Sequence, residues 1–158
     1  MIHKKGQVLV ETACVLPLLL VLIFGMVDFG RAMYTKNTLN NAARSGARVA
    51  AVTPGLTPTS PAVSLFSLNS EPANTIQKSI FNGIPTDNSV TYELIRKNAA
   101  GTSMPGTVTT GDQVQINLTY PNFPMITPLY NILALITNSA PQDSNGLTIT
   151  GQASMRYE

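Results

Sequence analysis

The first pattern along the chain is a long apolar run. From Gln7 to Val27 it reads QVLVETACVLPLLLVLIFGMV, with Glu11 its one charge. As a helix rising about 1.5 Å per residue, this run spans about 31 Å, the thickness of a bilayer's hydrocarbon core. It predicts a transmembrane helix. Polar residues then return without a helix breaker, through RAMYTKNTLNNAARSGARVAAV, and no proline follows Pro17 until Pro54. Within that stretch small residues recur four apart in two rows, Ala42, Gly46, Ala50 and Ala43, Ala47, Ala51, which let another helix or a sheet approach closely. A single helix from Val8 to Val52 would be about 68 Å long, half in lipid and half in water against a domain. Such a helix is a stalk as well as an anchor. Asp28 and Arg31, three apart where it leaves the apolar run, are spaced to pair at the interface.

Beyond residue 53 the chain changes character, because all other prolines and most glycines fall there among many Ser, Thr and Asn. Residues 53–71 read as a Pro/Ser/Thr-rich connector, and 72–158 as a small outer domain. In EPANTIQKSIFNGI, Ile76, Ile80 and Ile84 are four apart, so a short amphipathic helix opens at Pro72 and stops near Gly83. Alternation marks three strands: Val90, Tyr92, Leu94; Val114, Ile116, Leu118; and Leu147, Ile149 onward to Tyr157. The stretch PLYNILALITN between the last two reads as a short apolar helix, in the core or dipping back to the membrane. The expected class is α+β: a long transmembrane-plus-stalk helix packed on a small antiparallel sheet with short helices.

Charge and rare residues narrow the function. Charged residues make up 11% of the chain, the formal net charge is +2, and the cations are scattered, so nucleic acid is not an expected partner. The lone cysteine, Cys14, lies inside the apolar run and reads as a small filler facing lipid or a neighbouring helix. The one histidine, His3, lies before that run, which leaves the rest of the chain none for a catalytic triad or a metal site. Asp87, Glu93, Asp112 and Asp143 read as solvated surface, and Gly101, Gly106 and Gly111 as turn residues. The triplet Asn117-Leu118-Thr119 fits a glycosylation acceptor, but such triplets often arise by chance. Neither catalysis, a cofactor nor a small-molecule substrate is expected.

Glu11 is what ordinary anchoring does not explain. A carboxylate within an isolated span costs about 2.5 to 3.5 kcal/mol, so it needs a cationic partner or a proton. If the chain were cut after Gly6, the new α-amine of Gln7 would supply that cation one turn away, on the same chain or on an adjacent copy. The surrounding residues are also distinctive. The stretch KKGQVLVETACVLPLLLVLIFGMVDFGRAMYTKNTLNNAARSGARVAAV closely resembles the N-terminal domain of TadE-like pseudopilins of the tight-adherence (Flp, type IVb) pilus system. The shared features are a basic leader ending in Gly6, a Glu five residues into the cut chain, Pro17, the FG of LIFGMVDFGR, and NAARSGAR. The closing ITGQASMRYE looks like the family's terminal strand.

The resemblance implies a leader, 1–6, ahead of the transmembrane and stalk helix, 7–52. Gly6 and Gln7 would flank the cut made by a prepilin peptidase, an aspartate protease in the membrane, with Lys4 and Lys5 holding the leader at the cytoplasmic face. Glu11 would dock the subunit on a neighbour's N-terminal amine. Type IVb major pilins typically carry Tyr directly after this Glu, and here it is Thr12, which favours the minor, TadE-like class. Other pilins or pseudopilins would be its partners, in the bacterial inner membrane with the outer domain in the periplasm or on an extracellular pilus. Charge alone does not choose that orientation, since Lys4 and Lys5 before the span face Arg31, Lys36 and Arg44 after it. Two alternatives stay open: a filament-forming subunit with stalks bundled through the Ala/Gly rows, and an unprocessed single-span protein whose outer domain binds a ligand.

Overall fold

A computed structural model describes residues 3–80, 84, 89–98, 100–125 and 147–158, with backbone alone at 3–5. Helix α1, His3–Val52, takes up nearly a third of the chain and passes through Pro17 unbroken. It leads to strand β1, Thr59–Ser64, a 3-10 turn, Leu65–Ser67, helix α2, Glu71–Ile80, and strands β2, Thr91–Lys97, β3, Gln113–Phe123, and β4, Leu147–Arg156. The strands form one antiparallel sheet in the order β1-β2-β3-β4. The layout is the α+β arrangement expected. The apolar helix read at PLYNILALITN, with Asp87 and Asp143, lies outside the described residues.

Period-2 patterning explains the sheet. Along β3 the side chains of Val114, Ile116, Leu118 and Tyr120 are buried, while Gln113, Gln115, Asn117 and Thr119 between them face away. β2 repeats this with Tyr92 and Leu94, and β4 with Ile149 and Gly151. Both helices close the apolar face. Leu39, Ala42, Ala43, Ala47 and Ala50 from α1 join Ala73, Ile76 and Ile80 from α2 in one core with the sheet. The opposite face carries Glu93, Gln115, Asn117 and Gln152 into solvent, where Asn117 Nδ2 donates to Glu93 Oε2 at 3.1 Å and Gln115 Nε2 donates to Asn117 Oδ1 at 2.7 Å.

The stretch 53–71 differs from the connector expected there. It contains β1, which pairs with β2 through Thr59↔Leu94 and Val63↔Tyr92, and the 3-10 turn, whose Leu65 is fully buried. β1 includes Pro61, and an edge strand tolerates proline because one side of its backbone has no ladder to serve. Gln77 of α2 fastens the turn, its Nε2 donating to Leu65 O at 2.8 Å and Leu68 O at 3.0 Å.

Sheet and stalk run side by side. β4 follows α1 in the same direction: Gly151 lies against Leu39 and Asn40, and Tyr157 Oη donates to Thr53 O at 2.8 Å. Arg31 to Thr53 is about 33 Å of helix, and Leu147 to Tyr157 is about 33 Å of extended chain, so one strand matches the length of the stalk. The helix C-terminus is finished by the end of the chain, with Glu158 N donating to Ala51 O at 3.1 Å and Thr53 Oγ1 to Val49 O at 2.7 Å.

Candidate functional site

The candidate site is the bare half of α1. Gly6–Val52 is long and apolar enough to cross a membrane, its most apolar 18 residues having a mean hydropathy of 2.5 and none of them buried. Straight-chain apolar residues keep this segment helical, and Pro17 costs it one backbone bond without ending it. Thr12 satisfies its hydroxyl by donating from Oγ1 to Val8 O at 2.9 Å, as a hydroxyl on an apolar helix surface requires. Glu11 sits one turn after Gln7 on this exposed surface, and among the described residues it makes no ion pair. Gly6, Gln7 and Glu11 thus share one helical stretch, with Gly6 open on all sides and Cys14 free and exposed. For Lys4 and Lys5 the backbone continues the helix.

The small-residue rows occupy a separate place. Ala42, Ala43, Gly46, Ala47, Ala50 and Ala51 are all buried, under α2 and the sheet of the same chain. At Gly46 an added Cβ would come within 3.3 Å of Ile116 Cδ1 and would overlap Ile76. The rows set how closely α1 approaches its own domain.

The boundary between the halves is sharp. Asp28 is 7% exposed, and Arg31 Nη1 lies 3.6 Å from Asp28 Oδ1, the pairing that their spacing predicts. Arg31 also donates to Pro124 O at 3.3 Å and lies 5.4 Å over the Phe123 ring, so the guanidinium joins helix to sheet. A cleft of about 270 Å³ opens beside it, lined by Gly30, Arg31, Tyr34, Tyr120 and Phe123 among others.

Three features escaped the sequence. Asp112, expected to be solvated, is instead 9% exposed and accepts from Arg96 Nε at 2.7 Å, Thr109 N at 2.9 Å and Thr109 Oγ1 at 2.7 Å. The Thr109 hydroxyl and amide, with the guanidinium beyond them, hold its carboxyl below the ordinary value. Gly151 is a second, since a Cβ there would meet Leu39 Cβ at 2.6 Å and the backbone of Leu39 and Asn40 at 2.7 and 2.9 Å. The signal was present, because a lone glycine inside a strand pattern marks a close backbone approach. The third is the Tyr92 hydroxyl, buried with no hydrogen-bond partner among the described residues, its pKa raised by burial. Among the described residues no group of His, Cys, Asp and Glu could hold a metal ion.

Comparison with known proteins agrees with the bare helix and its stalk. No curated protein and no solved structure matches the chain. A family model does, and its match, residues 6–48 to the family described as TadE-like protein, bears out the resemblance over the span and most of the stalk.

Proposed function

We propose that this chain is a minor pseudopilin of a tight-adherence pilus system, cut by a prepilin peptidase between Gly6 and Gln7 and acting in pilus assembly or adhesion. The observation that carries the reading is the TadE-like match at 6–48, which begins at Gly6 and covers Glu11 and the bare span. The cut releases Lys4 and Lys5 and leaves an α-amine on Gln7, one turn from Glu11. That amine, on the same chain or on a neighbouring pilin, offsets the cost of the carboxylate in lipid and sets the register of docking. The span holds the protein in the inner membrane, with the α+β domain in the periplasm.

The burial of the Ala/Gly rows bears on the filament alternative. Stalks cannot bundle through residues that their own α2 and sheet already cover. Copies could still meet through the bare span or through the outward face of the stalk, where Tyr34, Asn37, Asn41, Arg44 and Arg48 are exposed, a surface poor in the small residues that favour close helix packing.

N-terminal peptide mass spectrometry of the protein from its native membrane tests this. The expected peptide begins at Gln7, and replacing Gly6 with a bulky residue preserves the leader. A native chain that keeps Lys4 and Lys5 for good overturns the reading, as does a Glu11→Ala variant whose pilus assembly matches wild type.

A further inference from the structure

We propose that the end of the outer domain nearest the span, carrying Leu147 on the sheet, Met125 just past β3 and Phe29 on the helix, rests in the headgroup layer of the bilayer. This goes beyond the assembly role and rests on the reading of the bare helix as a membrane anchor.

The argument is one of height. The unbroken apolar run ends at Val27, and Asp28, the next residue, is 7% exposed, with Phe29 and Met33 still exposed on the other side of the helix. No spacer lifts the domain away. Arg31, which holds Pro124 O, is four residues past Val27, a rise of about 6 Å, and the headgroup layer on each side of a bilayer is about 5 to 7 Å thick. Because β3 runs opposite to α1, its last residue, Phe123, is at the end of the strand nearest the span. Phe123 pairs with Leu147 at the level of Arg31, and Met125 follows Pro124, whose carbonyl Arg31 holds.

The residues at this level suit that layer. Phe29 is 68% exposed, Met125 46% and Leu147 43%. Singly exposed apolar residues are ordinary on a water-facing surface, so exposure alone decides nothing. What distinguishes these is their place, and Met104 supplies the contrast: it is 42% exposed but sits with Arg96 at the other end of the sheet. Among the described residues the charges at the rim, Asp28 and Arg31, pair with each other. The occupant is therefore the interface of ordinary zwitterionic lipid, and anionic lipid is not required.

The chain has no tryptophan, which makes the test direct. Full-length Met125→Trp, Leu147→Trp, Met104→Trp and Leu22→Trp variants are placed in phosphatidylcholine vesicles carrying either a nitroxide on the headgroup or bromine on the acyl chains. The expected result is that Trp at 125 and 147 loses most of its emission to the headgroup nitroxide, Trp at 104 keeps it, and Trp at 22 is quenched by bromine. Emission at 125 and 147 that survives as it does at 104, with 22 quenched, overturns this proposal and leaves the anchor intact. A Trp at 22 untouched by bromine overturns the anchor and this proposal together. The unsubstituted protein gives a second reading through methyl-labelled methionines in phosphatidylcholine nanodiscs. A water-soluble gadolinium chelate is expected to broaden Met104 and spare Met125, and equal broadening of the two overturns the proposal.

Discussion

The two halves of α1 share one backbone and little else. Between Gly6 and Val27 almost every side chain is exposed, with Leu9 at 71% and Leu18 at 72%. From Asp28 burial recurs seven residues on at Thr35 and then every three or four residues, through Leu39, Ala42, Gly46 and Ala50. Large apolar side chains cover the half left bare and small ones the half that is packed. Against lipid a helix gains from bulk in every direction, because every direction is apolar. Against its own sheet it gains from closeness on one side, where Ala and Gly bring backbones together. Among the apolar residues of the two halves, side-chain size adds to hydrophobicity in telling the halves apart.

The largest effect should come from breaking that division in the bare half. Leu18→Arg with Leu22→Arg places two cations near the middle of the span, at about 3 to 4 kcal/mol each, or about 7 kcal/mol in all. The protein is expected to leave the membrane fraction while its outer domain keeps the wild-type urea midpoint. If membrane retention and domain stability fall together, the halves are one unit and the comparison is wrong.

In the packed half the strongest response should come at Gly151. A methyl group there meets the backbone of Leu39 and Asn40, which cannot step aside as a side-chain tip can. Gly151→Ala should cost about 1 to 3 kcal/mol by overpacking, read as a lower urea midpoint in detergent micelles with the bare half still helical. An unchanged midpoint would mean that the stalk does not lie this close to β4.

How much of this the sequence disclosed depended on whether a cause was local. The strands at Tyr92, Ile116 and Ile149 could be read because each has one buried and one polar face, and alternation records that within a few residues. The stalk helix was legible in the absence of proline, and the small-residue rows announced close packing. Their partner stayed hidden, since nothing near residue 46 names Ile76 or Ile116. β1 was masked by the Pro- and Ser-rich composition of its stretch, and Pro61 within it is tolerated because β1 is an edge strand. Asp112 looked like ordinary surface because Arg96 reaches it from 16 positions away across a loop. In the candidate site Glu11 stood out at once, since a charge among leucines needs no partner to be conspicuous.

The far end of the stalk should give a smaller, pH-dependent effect. Tyr157, whose hydroxyl meets Thr53 O, is held by Gly111 N and by Asp112 O at 3.0 and 2.8 Å, so the Arg96–Asp112 pair steadies the strand end that finishes α1. The folded chain lowers the Asp112 pKa below its ordinary value of 3.8, so its carboxylate contributes stability above that value and loses the contribution as pH falls through the lowered one. Asp112→Asn should accordingly be less stable than wild type at pH 7. The gap between their urea midpoints should narrow at pH 3 and below, whereas a gap constant from pH 7 to pH 2 would show that the charge of Asp112 is not what matters.

Gly46 should show the smallest net change, because two effects oppose there. Alanine is the better helix former by about 1 kcal/mol, a gain that the middle of the stalk should feel in full. Its Cβ, however, overlaps Ile76 Cδ1 and Cγ1. Those atoms belong to a side chain that can change rotamer, unlike the backbone opposite Gly151, so the overlap should cost nearer the lower end of the 1 to 3 kcal/mol typical of overpacking. Gly46→Ala is therefore expected within about 1 kcal/mol of wild type. Ile76→Val removes Cδ1 itself and should cost about 0.5 to 1.5 kcal/mol alone. Combined, the two should be more stable than their separate effects predict, because losing Cδ1 removes one of the two atoms that the new Cβ overlaps and the Cβ fills part of the space left. Strict additivity would mean that α2 does not press on the stalk at this glycine, and that the small-residue row serves helix propensity rather than contact.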